Sequence, residues 1–322
     1  MDRVALGIDV SKRDFHAAIL APGDAKDRGK SFPNNLKGFE QLASWLRNRK
    51  IQRVHACLEA SGGWSEAIAA YLHDSGHLVS LVNPQRIKAF GASEGLRTKT
   101  DVIDASLIAR FCLVHNPPAW TPPSRSARSL QSLSRRRDSL IEIRTQESNR
   151  LKGPEIDAAV RRSLGEHIEY LQNQIDEIEK LIEQTIDDDP KLRGQRDRMV
   201  TIPGIAKASA AAITAEFPDL AEYRDAKAVA AYAGLCPQIR ESGTSLRRSS
   251  LSRVGNSRLR RLLFMPALVA LRRNPVIKAF GDRLAARGKP KMVIVAAAMR
   301  KLLVLAYGVV KSGRPFDPLL TA

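Results

Sequence analysis

The sequence predicts an α/β layer structure followed by an all-α remainder, and three observations carry that expectation. Up to about residue 115, short apolar runs rich in β-branched residues alternate with segments of helical periodicity. From residue 125 onward, long helical patterns follow one another. Between the two regions lie Pro117–Pro118 and Pro122–Pro123, pairs that end regular structure because proline supplies no backbone donor.

Residues 4–10 (VALGIDV) read as a buried strand that closes on an acid, and residues 14–20 (DFHAAIL) as a second strand paired to it through the short SKR turn. Helical periodicity follows in LKGFEQLASWLRN. The third strand signal is RVHACLEA, residues 53–60, again ending near an acid. SEAIAAYLHDSG then reads as a helix closed by Gly76, and HLVSLVN as a strand stopped by Pro84. Thr100 is placed to cap a helix through DVIDASLIARFCLV.

Two long helices are expected at about 125–152 and 155–188. The second carries Leu164, Ile168, Leu171, Ile175, Ile178 and Ile182 at alternating spacings of four and three, the a/d seam of a coiled coil or helical hairpin. That pattern suits packing within one chain and dimerisation alike. From Met199 the chain turns Ala-rich with short Gly/Pro loops. There IPGIAKASAAAITAE is similar to a helix-hairpin-helix element, in which a Gly turn offers helix N-terminal amides to a phosphate backbone. Ala206 stands where that element has its second glycine, and an ordinary tight turn is the competing reading. The expected parts are therefore 1–123, 124–190 and 191–322.

Composition narrows the function. The 322 residues are 43% hydrophobic and 27% charged, as in a folded globular chain, and the formal net charge is +18. No run of about 18 apolar residues suggests a membrane span, and MDRVALGIDVSKRD lacks the apolar stretch of a secretion signal. A cytoplasmic protein, nucleoid-associated when active, is expected. Cys57, Cys112 and Cys236 are odd in number and far apart in sequence, which argues against a disulfide framework or a zinc knuckle. The six histidines form no ligand spacing. A polyanion is the expected partner.

The charge is concentrated. From Arg240 to the C-terminus there are 18 basic and 3 acidic residues, whereas Pro154–Asp197 holds 6 basic and 12 acidic ones. Basic residues lie among apolar helical segments such as RLRRLLFMPALVALRR rather than in a low-complexity tail. With aromatics at 5%, phosphate contact rather than base stacking should dominate. The candidate contacts are Lys99, Lys207, Arg247, Arg248, Arg253, Arg258, Arg260 and Arg261.

Asp9 and Glu59 lie near the C-terminal ends of apolar strands, where α/β sheets collect their chemistry. Asp101 and Asp104 are three apart at a helix start and share a face. Buried carboxylates need cationic compensation, and divalent metal ions supply it while suiting phosphodiester chemistry. First-turn acids that complement a helix dipole are the plainer explanation of the second pair.

Taken together, GIDVSK, CLEASG and KTDVIDASLIAR resemble the DEDD version of the RuvC-like, ribonuclease-H-type fold. AAYAGLCPQIRESGTS and GNSRLRRLLFMPALVALRRNP resemble the C-terminal domain of the IS-one-ten family of insertion-sequence transposases, with the pilin-gene invertases as relatives. The resemblance spans essentially the whole chain in order. It implies a RuvC-like metal-binding domain (1–123), an oligomerising helical segment (124–190) and a basic transposase domain (191–322). It implies Mg²⁺ at Asp9, Glu59, Asp101 and Asp104, and a catalytic serine at Ser242. It further implies target and donor DNA as substrates, a bridge RNA that guides their choice, and dimers assembling to a tetramer with a site shared between subunits.

A serine hydroxyl needs activation, and no histidine follows His167, so a Ser-His dyad within that domain is excluded. Gly243 would let a phosphate approach the backbone, although a basic Ser-rich loop commonly only hydrogen-bonds phosphates. A junction-resolving nuclease would use the same acids with water as nucleophile. A sugar-kinase-like ATPase shares the GIDVS start but should carry further Gly-rich loops, and a purely architectural DNA-binding protein leaves the strand-end acids unexplained.

Overall fold

The computed structural model describes residues 4–23, 28–60, 63–96, 100–242, 246–252 and 254–319, with backbone alone at 28, 239–242 and 246–250. Contacts along the chain divide it into two units, Met1–Pro122 and Pro123–Ala322.

In the first unit, β1 (Ala5–Val10) and β2 (Asp14–Leu20) form the expected antiparallel hairpin, with Ala5 opposite Leu20 and Asp9 opposite His16. The Ser11 hydroxyl fastens the turn by donating to the Asp14 carboxylate at 2.5 Å. A further strand, β3 (Arg28–Pro33), pairs antiparallel with β2, where the sequence reading has none. Its residues RGKSFP include Gly, Lys and Pro, which are poor strand formers. An edge position, paired on one side only, tolerates them.

Parallel pairing adds β4 (His55–Glu59) beside β1 and β5 (Leu78–Val82) beside β4, giving the order β3-β2-β1-β4-β5. Helices make the parallel crossovers possible. They are α1 (Leu36–Arg47) and α2 (Gly63–Asp74), followed by α3 (Pro84–Ser93) and α4 (Asp101–His115). In the sequence Pro84 marks only a strand stop. It is also the first residue of α3, where its missing N–H costs nothing, and Asn83 caps the helix by accepting from the Gln85 N–H at 2.9 Å.

Strand alternation gives the sheet two apolar faces. Leu6, Ile8, Ala56 and Leu58 pack with Leu42, Trp45, Ile68 and Leu72 of α1 and α2. Ala5, Cys57 and Val82 pack with Ile87 of α3 and Leu107, Ile108, Phe111 and Cys112 of α4. Phe15, Phe32 and Trp45 add a chain of ring contacts at 5.4 and 5.7 Å on the first face. Each fully buried side chain of this size contributes about 1.5–3 kcal/mol relative to exposure.

The second unit starts with α5 (Arg125–Leu151) and α6 (Ala158–Asp187), an antiparallel hairpin in which Leu140 meets Leu171 and Ile175 while Leu130 meets Ile182 and Ile186. The buried part of the heptad seam is thus used within the chain. Next come α7 (Pro190–Val200), α8 (Lys207–Glu216), a 3-10 turn at Leu220–Glu222, and α9 (Ala226–Tyr232). Gly204, between α7 and α8, has φ +111°, and a Cβ there would come within 2.7 Å of the Ala270 Cβ, so only glycine serves this turn.

An antiparallel hairpin of β6 (Pro237–Ser242) and β7 (Leu246–Leu251) interrupts the helices, so this half is not wholly helical. Its strands read as a solvated Ser-rich loop because RES and RRSS show no apolar alternation, and the pairing lies in the backbone. The chain ends in α10 (Ser257–Arg273), α11 (Pro275–Ala286) and α12 (Lys291–Ser312). Among the described residues, α12 alone is long and apolar enough by composition to cross a membrane. Its Ala298, Leu302, Leu303 and Ala306 are fully buried in the core of the second unit.

Candidate active site and nucleic-acid interface

The four singled-out acids share one cleft because of how α4 lies on the sheet. In the β1–β4 ladder Ile8 pairs with Leu58, so Asp9 and Glu59 stand one step further along, at the same end of two parallel strands. Alternation puts them on the face of Ala5, Gly7 and Cys57, which is the face that α4 covers. Gly7 allows α4 to lie against the β1 backbone, since a Cβ at Gly7 would meet the Ala105 carbonyl oxygen at 2.1 Å and the Ala109 nitrogen at 2.2 Å.

Thr100 caps α4 as the sequence suggests, accepting from the Ile103 N–H at 3.3 Å, and Asp101 and Asp104 occupy the first turn. Asp9, Glu59, Asp101 and Asp104 together line one cleft of about 580 Å³. Asp101 is exposed and the other three are half-buried. The N-terminal end of α4 favours negative charge at this spot.

Two further residues enter the site that no sequence motif marks. His16 lies opposite Asp9 in the β1–β2 ladder, and its Nδ1 is 3.9 Å from the Asp101 carboxylate. Period-two alternation of DFHAAIL, counted against the hairpin register, could have placed it on the acid face. Lys88 of α3 also lines the cleft, and only recognition of Pro84 as a helix start would have put it there.

Among the described residues, no three His, Cys, Asp or Glu side chains form a ready cage for one ion. The donors are nonetheless all carboxylate oxygens. That chemistry fits Mg²⁺, which keeps several waters and takes one or two carboxylates together with substrate phosphates.

Ser242 is the last residue of β6, and its backbone pairs with Leu246 across the hairpin. Its side chain, and those of Arg247 and Arg248 on β7, lie outside the described atoms, as do Gly243, Lys99 and Arg253 altogether. The remaining candidate cations all have partners within their unit. Lys207 pairs with Glu183 at 2.6 Å. Arg260 donates to the Ala233 carbonyl at 3.1 Å. Arg261 pairs with Glu142 at 2.5 Å.

Arg258 departs furthest from a surface phosphate contact. Only 14% exposed, it bonds Asp138 at 2.9 Å, Ser134 at 3.0 Å and Glu216, itself 2% exposed, at 3.4 Å. Two buried carboxylates require a cation there, so the guanidinium is used inside the fold. Part of the basic C-terminal charge thus answers acids of the preceding helices.

Cys57 and Cys112, distant in sequence, meet in the core as free thiols. Their mutual hydrogen bond and then burial push the Cys57 thiol far up, so it stays protonated and serves packing.

Comparison with known proteins covers both units. A DEDD transposase model of IS110 matches residues 6–153, and the model of the transposase IS116/IS110/IS902 family matches residues 196–282. The chain is 34% identical to the pilin gene-inverting protein of Moraxella bovis over 98% of both chains. It belongs to the IS110 family of transposases.

The pilin gene-inverting protein of Moraxella lacunata is 34% identical over the same shares. The transposase for insertion sequence element IS1328 of Yersinia enterocolitica is 25% identical over 97% of this chain and 98% of that one. In this IS110-family chain, the first matched segment contains all four acids of the cleft. The second contains Ser242, the β6–β7 hairpin, all of α10 and most of α11.

Proposed function

We propose that this chain is a recombinase that cuts and rejoins DNA through a phosphoserine intermediate, with Ser242 as nucleophile and the acid cleft as its partner site. The observation that carries the reading is the common cleft of Asp9, Glu59, Asp101 and Asp104, carboxylates from two strands and one helix start. The strand order β3-β2-β1-β4-β5 supports the RuvC-like assignment of the first unit. The Gly204 turn between α7 and α8 supports the helix-hairpin-helix reading, and Ala206, the N-cap of α8, supplies no side-chain cap.

In this mechanism the Ser242 Oγ attacks a DNA phosphorus, losing its proton to a base. The 3′ oxygen of the broken strand leaves as a hydroxyl, and the 5′ phosphate stays on serine as a diester. A free 3′ hydroxyl later attacks that diester, releases Ser242 and forms the new strand. One diester bond is made for each one broken, so no nucleotide is consumed. Asp9, Glu59, Asp101 and Asp104 would hold Mg²⁺, whose charge, when bound, stabilises the phosphorane-like transition state and lowers the pKa of the attacking hydroxyl.

The same reading includes a bridge RNA that selects target and donor DNA by base pairing. A basic, aromatic-poor surface, suited to reading backbone rather than bases, supports this. It also includes a homo-oligomer, dimers pairing to a tetramer, in which Ser242 of one subunit completes the acid site of another. A second reading has the acid cleft act alone as a structure-specific nuclease with water as nucleophile. It draws on the fact that all four acids belong to the first unit.

The deciding experiment incubates the purified full chain and its co-purifying RNA with plasmid DNA carrying the element and its flanks, in Mg²⁺. Denaturing gels then reveal covalent adducts. Wild type should yield an adduct that Ser242→Ala abolishes and that Asp9→Asn and Asp104→Asn suppress. An adduct surviving in Ser242→Ala removes that serine. Mg²⁺-dependent nicking without any adduct establishes the nuclease reading, and absence of a discrete RNA on sequencing removes the guide.

A further inference from the structure

The cleft of the four acids has a charge problem that its own residues address. Four carboxylates in one cleft, Asp9, Glu59, Asp101 and Asp104, disfavour an approaching phosphodiester, and a cation held by them would answer only the phosphate that it touched. Lys88 is the one basic side chain among the described residues that line the cleft.

Helix α3 holds that side chain on a fixed wall. Ile87, its neighbour, is 2% exposed in the core beneath α4. The ring of Phe90 meets Phe111 of α4 edge-on at 5.6 Å. Gly91, one turn beyond, lies so close to α4 that a Cβ there would come within 2.9 Å of the Leu107 Cδ2. Pro84 and Lys88, four apart, share the face that borders the cleft. The wall also starts beside the acids, because β5 ends at Val82, which pairs with Glu59.

The side chain itself is exposed and, among the described residues, has no ion-pair or hydrogen-bond partner. Lys207, Arg258 and Arg261 differ in this respect, since each is paired to an acid of its own unit. An exposed ammonium on a rigid wall of the cleft that holds four carboxylates suits a phosphate that must be held near them.

We propose that Lys88 is a positioning residue for the DNA strand. Its ammonium binds a non-bridging oxygen of a phosphate beside the scissile one and sets that strand against the four carboxylates. This inference rests on the reading of the cleft as the place where DNA is cut.

The test has two arms. In the first, wild-type full chain is reductively methylated with and without a duplex DNA carrying the element end, in Ca²⁺, and again with the co-purified RNA alone. Mass spectrometry reads the lysines. Protection of Lys88 by the DNA is expected; equal methylation with and without DNA, or protection by the RNA alone, overturns the proposal.

In the second arm, steady-state cleavage compares Lys88→Ala and Lys88→Arg with wild type. Loss of one charged hydrogen bond should raise KM for DNA roughly tenfold while kcat falls by less than about twofold. The salt slope of binding should fall by about one, and arginine should restore KM. An unchanged KM in Lys88→Ala overturns the proposal. Asp9→Asn separates the two ideas: full activity in that variant removes the cleft as the reaction site, whereas an inactive variant with Lys88 unprotected removes only this one.

Discussion

Gly7 of β1 touches the backbone of Ala105 in α4: a Cβ at position 7 would sit 2.1 Å from the Ala105 carbonyl oxygen. This contact sets how closely the helix bearing Asp101 and Asp104 approaches the strand bearing Asp9. Gly7→Ala should therefore force α4 off the sheet, costing roughly 3 kcal/mol as an overpacked core site. Urea unfolding of the first unit's signal checks this, and a midpoint within error of wild type would contradict it. Mg²⁺-dependent activity should fall with the stability, although every acid remains present.

Arg258 and Arg261 stand three residues apart on α10 and should behave differently. Arg258→Ala removes the closest cation from buried Glu216 and Asp138, leaving them longer pairs with Arg135 at 3.7 Å and Arg137 at 3.5 Å, and should cost about 3 kcal/mol. Arg261→Ala removes an exposed pair with Glu142 and a looser one with Asp138 at 3.7 Å, and should cost about 1 kcal/mol. Equal denaturation midpoints for the two variants would refute the buried-network assignment.

Arg247 and Arg248 belong to the hairpin that ends next to Ser242. If both neutralise phosphates, replacing them together should lower the salt slope of DNA binding by roughly two. Fluorescence anisotropy over a range of KCl measures it. An unchanged slope would locate the phosphate track elsewhere.

His77 supplies a pH prediction. Burial, and then the positive charge of Arg53, hold its pKa below the ordinary histidine value. The unfolded chain therefore binds this proton more readily than the folded one, so stability is full above about pH 6.5 and declines as pH falls through the lowered value. Melting curves from pH 8 to pH 5 should converge for wild type and His77→Gln in their loss with acid only if this histidine is irrelevant; the expected result is a shallower acid loss in the variant.

Much of the first unit was legible from the chain alone. The apolar runs at β1, β2, β4 and β5 are strong because each strand has a buried face, and Thr100 before an acidic first turn is a strong local cap signal. The strands that escaped are β3, β6 and β7, whose polar residues carry no alternation and whose stability comes from backbone pairing with a neighbour. α3 escaped because Pro84 is at once a strand terminator and a good first helical residue.

The acids were named from their places at strand and helix ends, yet spacing in sequence did not say that they share a cleft. His16 was legible only through the β1–β2 register, and Lys88 only through Pro84 as a helix start. Conversely, Arg258 looked like any other basic residue in RLRRLLF until Asp138 and Glu216, 120 and 42 positions earlier, were seen around it.

By itself, the sequence determined the alternation of strands and helices, the basic C-terminal excess and the identity of the acids, because these follow from local periodicity, composition and motif. The tertiary structure alone decided which charges are spent inside the fold and which face a cleft. It did so through a glycine that lets one helix meet one strand, a long-range steric fact that no local pattern encodes.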